Sequence, residues 1–370
     1  VGNRIEWAKK RGKGLQAVFV LAALFILTDC AAIGPGSMGR DRFDYTTAIS
    51  DSWKTQMLFN IVKGRYGDAP VFLDVASVIA QYQLETVASA SATWQTPLTQ
   101  TSNANTLGLS GVGRFIDRPT ITYNPVTGAK FARSVMAPIP PTAILSLVQA
   151  GYPIDLVFRL CVQSINGVQN RFGRMAQSRP ADPTFYPLLQ RMKRVQTSGD
   201  IGLRVQRVGE KEGAVMVFRR KLTRAVEEDV EAIRAALGLD PDAVELRIVY
   251  GAIASNNQEI AIMSRSMLQI MIDLASSVDV PEVHVAEKRV SPTLKDVTPE
   301  GTPVVPLVRI HSSLKKPDDA FVAIPYRAHW FWIDDKDLMS KGMFSFLMFI
   351  FTLTETGEKE GAPIVTIPIG

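Results

Sequence analysis

Between residues 46 and 94 the spacing of the apolar residues changes from helical to alternating, and this change limits what this part of the chain can fold into. From Thr46 to about Arg65, Ile49, Trp53, Met57, Leu58, Ile61 and Val62 recur at helical spacing, which predicts an amphipathic helix. Gly67 and Pro70 stop it. Ala76, Val78, Ala80, Tyr82, Leu84, Ala88, Ala90, Ala92 and Trp94 then share one parity, opposite Ser77, Gln81, Gln83, Glu85, Ser89, Ser91 and Thr93. That pattern predicts one long strand with a single apolar side. After a Thr/Gln/Ser/Asn-rich loop over 95–106, Leu107, Leu109, Gly111, Gly113 and Phe115 resume the alternation, and Thr120-Ile121-Thr122-Tyr123 follows Pro119. Residues 71–124 therefore read as a hairpin. Its small residues allow close approach of another layer, which leaves two readings. The hairpin packs on the first helix, or each subunit contributes it to an oligomeric outer-membrane barrel, whose strands need only about 9 to 11 residues to cross.

Pro140-Pro141 opens a region with a different rhythm. Helices are expected over Pro141–Gln149 and Ile154–Ser164, the second stopped by Asn166-Gly167. A helix over Pro183–Thr197 precedes short strands at Ile201–Val205 and Ala214–Phe218. The unit repeats as Thr223–Leu237, stopped by Gly238, then Val244–Tyr250 and Glu259–Met263, with a further helix over Arg265–Ser276. Helix, strand, strand in tandem predicts an α+β fold, a mixed or antiparallel sheet with helices on one face. Toward the end, Ala320–Arg327 and Trp330–Ile333 read as two strands around Ala328-His329, with Asp334 or Asp335 capping the next helix. Met343–Leu353 is apolar but only eleven residues long, a buried core helix rather than a membrane crossing. Ile364–Ile367 reads as a closing strand.

The chain has 370 residues, 46% of them hydrophobic, enough to bury a large core in one large domain or two. Lys9, Lys10, Arg11 and Lys13 precede a 13-residue apolar stretch, Leu15–Leu27, and then Cys30. A charged start and a short apolar middle are the features of a secretory signal, and the stretch is too short to span a bilayer comfortably. Five cations against two carboxylates make residues 1–29 net +3, so only about +2 of the total +5 belongs to the rest. With no long Lys/Arg block left, nucleic-acid binding loses its electrostatic basis. Residues 1–29 are thus read as a signal peptide and 30–45 as a flexible tether. The helix and β-hairpin region occupies 46–130, and the C-terminal α+β domain 131–370.

Leu27-Thr28-Asp29-Cys30 resembles the lipobox of bacterial lipoproteins, in which the cysteine is acylated; Asp29 stands where that family carries Gly, Ala or Ser. The wider chain also resembles an uncharacterised family of bacterial envelope lipoproteins. The likeness rests on Arg40–Tyr45, Gln56–Tyr66 and Ala69–Val75 near the start. Near the end it rests on Arg265–Leu268, Tyr326-Arg327, Trp330–Asp335, Asp337-Leu338, Ser340-Lys341 and Thr366–Gly370. The resemblance implies a lipid anchor at Cys30 on the periplasmic face of the outer membrane, with Ala31 compatible with that sorting. It implies other envelope proteins as partners and leaves a homo-oligomer open. It brings no reaction and no assigned catalytic residue.

Chemistry is sparse in the residues themselves. His284, His311 and His329 are scattered and lack Cys, Asp or Glu at ligand spacing, so no metal and no cofactor is expected. No nucleophile elbow appears, and Gly108–Gly113 has neither the spacing nor the setting of a phosphate cradle. Cys161, inside an apolar run, reads as a buried small residue rather than a nucleophile. The strongest polar group is Arg327, Asp334, Asp335, Ser340 and Lys341, where a hydrolase could pair Ser340 with Lys341 against Asp334. The competing reading makes these residues helix-start partners. Tyr326, Trp330, Phe331 and Trp332 read as alternating sheet faces, and an exposed face there, with Arg327, Trp330, Trp332, Asp334 and Asp335, would bind a partner. Non-enzymatic assembly through protein contacts is the expected role; an oligomeric pore or secretion accessory and a periplasmic hydrolase are the alternatives.

Overall fold

The computed structural model describes residues 38–79, 82–93, 106–117, 120–126, 129–173, 179–208, 211–218, 222–293, 297 and 301–354. Residues 1–37, with Cys30, and the expected strand at 364–367 lie outside them. The chain forms two units, one containing 74–124 and the other 51–73 with 125–361. Helix content and several mixed or antiparallel sheets make the fold α+β.

The first helix, α1, runs Met38–Arg65, so it takes in residues 38–45 ahead of the expected start at Thr46. Thr46 and Thr47 hydroxyls donate to the Arg42 and Phe43 carbonyls one turn back, and Asp41 lies in the first turn, where the helix dipole favours a carboxylate. The predicted long strand is seen on both sides of residues 80 and 81, as β1 (Phe72–Ile79) and β2 (Tyr82–Thr93), and β3 (Thr106–Asp117) and β4 (Thr120–Val126) match them. β2 pairs with β3 and β1 with β4, a nested ribbon.

In the larger unit, α1 buries Met57, Leu58, Ile61 and Val62. Its Asn60 and Gln56 amides, one turn apart, hold the segment leading into β1. Asn60 donates to the Val71 carbonyl at 2.8 Å and accepts the Val71 N–H at 2.9 Å. Gln56 does the same for Leu73. Two side-chain amides thus satisfy backbone groups that a neighbouring strand would otherwise serve.

After α2 (Ala129–Met136) come α3 (Pro141–Gln149) and α4 (Ile154–Cys161), and the chain then turns directly into β5 (Val162–Ile165) and β6 (Val168–Gln169). The expected helix over Ile154–Ser164 therefore ends three residues early. Asn166 and Gly167 take φ of 44° and 84°, the two left-handed residues of a tight hairpin turn rather than a helix stop. The Asn166 side chain donates to the Leu237 and Glu259 carbonyls and accepts the Ala261 N–H.

The two tandem units follow. One is α5 (Phe185–Ser198), β7 (Ile201–Val208) and β8 (Lys211–Phe218); the other is α6 (Arg224–Leu237), β9 (Glu245–Tyr250) and β10 (Glu259–Ser264). Gly238, at φ 64°, ends α6 in the manner its sequence position predicts. With β5 and β6 these strands make one six-stranded sheet, ordered β6-β5-β10-β9-β8-β7. All its neighbours are antiparallel except β9 and β10, which run parallel. α3 packs across β7 to β10, and β10 is almost wholly buried.

Ser266 caps α7 (Met267–Ser276) in a reciprocal capping box with Gln269, so the helix starts just after Arg265. Beyond α8 (Glu282–Ala286) a three-stranded sheet forms in the order β11-β13-β12, from β11 (His311–Ser313), β12 (Ala320–Tyr326) and β13 (His329–Asp334). Last comes α9 (Leu338–Thr354). It buries Met343, Phe344, Phe346, Leu347, Ile350 and Phe351, as the sequence predicts for a core helix. No described helix is long and apolar enough to cross a membrane.

Candidate functional site

The β12–β13 hairpin turns at Arg327 and Ala328, whose φ values are 48° and 64°. Two consecutive non-glycine residues in the left-handed region carry backbone strain, which persists only where surrounding contacts hold it. Those contacts are present here. Tyr326 Oη donates to Asp68 Oδ2, and Arg327 Nη2 donates to the same oxygen at 3.3 Å. The Arg327 guanidinium also lies 5.1 Å from the Tyr66 ring centre and 5.4 Å from that of Tyr326, within cation–π range. The two tyrosine rings are 5.3 Å apart.

Tyr66 extends this clamp inward. Its hydroxyl is 2.7 Å from His284 Nδ1, and the His284 ring is 4.8 Å from that of His329. Burial pushes the Tyr66 phenol up to about 12. Burial, and then the hydrogen bond to Asp68, raises Tyr326, while that bond from Tyr326 chiefly lowers Asp68. Burial, then His329 and Arg289, lowers His284. At neutral pH the cluster therefore holds two protonated phenols, one ionised carboxylate and a neutral imidazole. Such a set locks three chain segments together, and His284, 4% exposed, offers little access to a substrate.

The polar group singled out in the sequence resolves into separate pairs. Asp334 Oδ1 accepts the Lys336 N–H at 2.8 Å, and Asp335 pairs with Lys341 Nζ at 2.7 Å. The residue that caps α9 is Asp337, not Asp334 or Asp335: it accepts the Ser340 N–H at 3.0 Å and the Ser340 hydroxyl at 2.8 Å. Ser340 Oγ in turn accepts the Arg309 N–H at 2.9 Å. Ser340 and Lys341 thus bond to different partners. Arg327 belongs to the tyrosine clamp instead.

Phe331 and Ile333 of β13 are fully buried, and Trp330 and Trp332, which alternate with them, are half-buried on the outer face. Trp332 stacks on His311 at 4.8 Å, and Lys316 Nζ is 5.6 Å from the Trp330 ring centre. Pro325, paired with Trp330, and Leu314 are exposed on the same sheet and its border.

A buried polar centre at the β5–β10 end of the large sheet had no local sequence signal. Arg265, fully buried, donates to Asp273 and Gln163, each at 3.2 Å, and to carbonyls of residues 159, 160 and 171. Asp273 also accepts from Arg171 at 3.2 Å and from the Gly173 N–H at 3.0 Å. Nearby Cys161 is fully buried, and burial pushes its thiol up to about 12, so it is the inert core residue expected. No group of three potential metal-ligating residues occurs among the described residues.

No protein-family model, curated protein or solved structure matches this chain.

Proposed function

We propose that the chain is a non-enzymatic, lipid-anchored cell-envelope protein, held through Cys30 at the periplasmic face of the outer membrane and acting through contacts with other envelope proteins. The observation that carries the contact role is the outer face of the three-stranded sheet. There half-buried Trp330 and Trp332 share the sheet and its border with exposed Pro325, Leu314 and Lys316, an amphipathic aromatic surface of the composition enriched at protein interfaces. The envelope address rests on the order of residues 9–30, a basic start, a short apolar run and a cysteine. The internal bonds of Ser340 and Lys341 favour this reading over a hydrolase.

Intact mass of the protein purified from membranes tests the address. The expected species lacks residues 1–29 and carries acyl groups on Cys30; recovery of an unacylated chain that retains residues 1–29 from the cytosol would overturn it. Photo-crosslinking from position 316, exposed beside Trp330, in living cells tests the contact role. One defined envelope protein should be captured, and a Trp330→Ala, Trp332→Ala variant should lose it without loss of fold. Equal capture by that variant would place the contact elsewhere.

A further inference from the structure

The β2–β3 sheet has two strands of 12 residues each, and no other described strand pairs with either edge. Its register runs unbroken from Tyr82–Asp117 to Thr93–Thr106. Successive pairs alternate in character. One row contains Gln83–Ile116, Glu85–Arg114, Ser89–Ser110, Ser91–Gly108 and Thr93–Thr106, interrupted by Val87–Val112. The other contains Leu84–Phe115, Ala88–Gly111, Ala90–Leu109 and Ala92–Leu107, interrupted by Thr86–Gly113 and ending at Tyr82–Asp117. Partners in an antiparallel ladder share a face, and successive pairs alternate faces. The ribbon therefore has one polar and one apolar face. In the polar row Glu85, Ser89, Ser91, Ser110 and Arg114 are exposed, as are Val87 and Val112, and the Ser89 and Ser110 hydroxyls bond at 2.7 Å.

A lone two-stranded ribbon is marginal in water, and unpaired edges are templates for another strand. This one has neither a proline nor a bulge along its paired strands to block such pairing. At about 3.4 Å per residue each strand is about 40 Å long, beyond the roughly 9–11 residues that a tilted barrel strand needs. We infer that ribbons from several copies of this chain pair edge to edge, β2 of one against β3 of the next, and close a barrel in a lipid bilayer. The Leu84–Phe115 row then meets lipid and the Glu85–Arg114 row a water-filled lumen. A head-to-tail contact of this kind is heterologous and closes as a ring. The inference shares with the proposal above only the envelope address, and uses neither the tryptophan face nor the acyl group.

The test takes the full chain, purified from membranes in detergent, through mass measurement and reconstitution into dye-loaded phosphatidylethanolamine and phosphatidylglycerol vesicles. The expected result is a ring-sized oligomer that releases dye. Ala88→Arg, in the middle of the apolar row, should lower release on the order of thirtyfold while leaving the unfolding midpoint of the detergent-solubilised protein unchanged. Ser91→Asp, in the polar row, should shift the permeability ratio in planar bilayers toward cations. A monomer without release, or Ala88→Arg releasing as well as the parent, would overturn the barrel. If that monomer carries acyl groups by intact mass, the anchoring proposal stands and only the barrel fails; an unacylated chain that still forms releasing oligomers gives the reverse.

Discussion

Tyr66 Oη and His284 Nδ1 lie 2.7 Å apart although 218 positions separate them in the chain. The bond ties the end of α1 to α8, and Arg327, stacked over the Tyr66 ring, ties both to the strained turn of the C-terminal hairpin.

This cluster should make stability depend on pH. Protonated His284 would turn Nδ1 into a donor only, toward a phenol that stays protonated, and would bring a second charge close to Arg289 and Arg327, with His329 adjacent and Glu287 the opposing carboxylate. Its folded-state pKa is lowered, so the unfolded chain binds the extra proton first. The contribution is full above the unfolded value, about 6.5, and is lost as pH falls through the lower folded value. The melting temperature should therefore fall more between pH 7.5 and 5 in the parent than in His284→Gln. Equal slopes would show that another group titrates.

Asn60→Ala should destabilise by about 2 kcal/mol, because it leaves the Val71 N–H and carbonyl without their partner at a site where Asn60 is 1% exposed. Urea unfolding measures this. Thr55→Ala, on the exposed side of the same helix, should cost less than about 0.5 kcal/mol.

Asp229 joins the two tandem units: it accepts from Arg194 at 2.7 and 2.6 Å and from Arg191 at 2.8 Å. The bonds from Arg194 lead the lowering of its pKa. Since both arginines can return to water, Asp229→Ala should cost about 1–2 kcal/mol rather than the larger penalty of a fully buried pair. The stabilisation is present above the unfolded carboxylate value and is lost as pH falls through the lowered folded value. Acid unfolding of the parent and the variant should therefore converge at low pH.

Asp337→Ala should cost about 1 kcal/mol as a lost helix cap, and Ser340→Ala a similar amount, because the Arg309 N–H then loses its acceptor. Lys341→Ala, which removes the pair with Asp335 and a cation–π contact with the Phe321 ring, should cost no more than about 1 kcal/mol. The Ser340→Ala, Lys341→Ala double variant should retain any native envelope phenotype once expression is matched. Loss of the phenotype with the fold intact would restore the hydrolase reading.

Elements with strong local signals are legible in the sequence. Pro140-Pro141 marks the start of α3, and Gly238 marks the end of α6, because proline and a left-handed glycine act within one turn. The alternation that makes β1, β2, β3 and β4 is legible too. The extent of α4 is not legible, since the run from Leu156 to Val162 is apolar at nearly every position and carries no period. Asn166-Gly167 marks a turn either way; only the β10 strand, almost a hundred residues later, settles that it is a hairpin. The candidate site is legible in part. Arg327 stands out, but its partners Tyr66, Asp68 and His284 lie in distant segments, and nothing local distinguishes them.

The order of the six-stranded sheet has a consequence for biogenesis. β10, last of the six in the chain, sits between β5 and β9, so the earlier strands form two unconnected patches until Glu259–Ser264 arrives. A chain emerging from its N-terminus, from a ribosome or across a membrane, cannot complete this sheet before residue 264 is free. Premature closure is thereby delayed by topology, and a fragment ending before β10 should be a substrate for proteases.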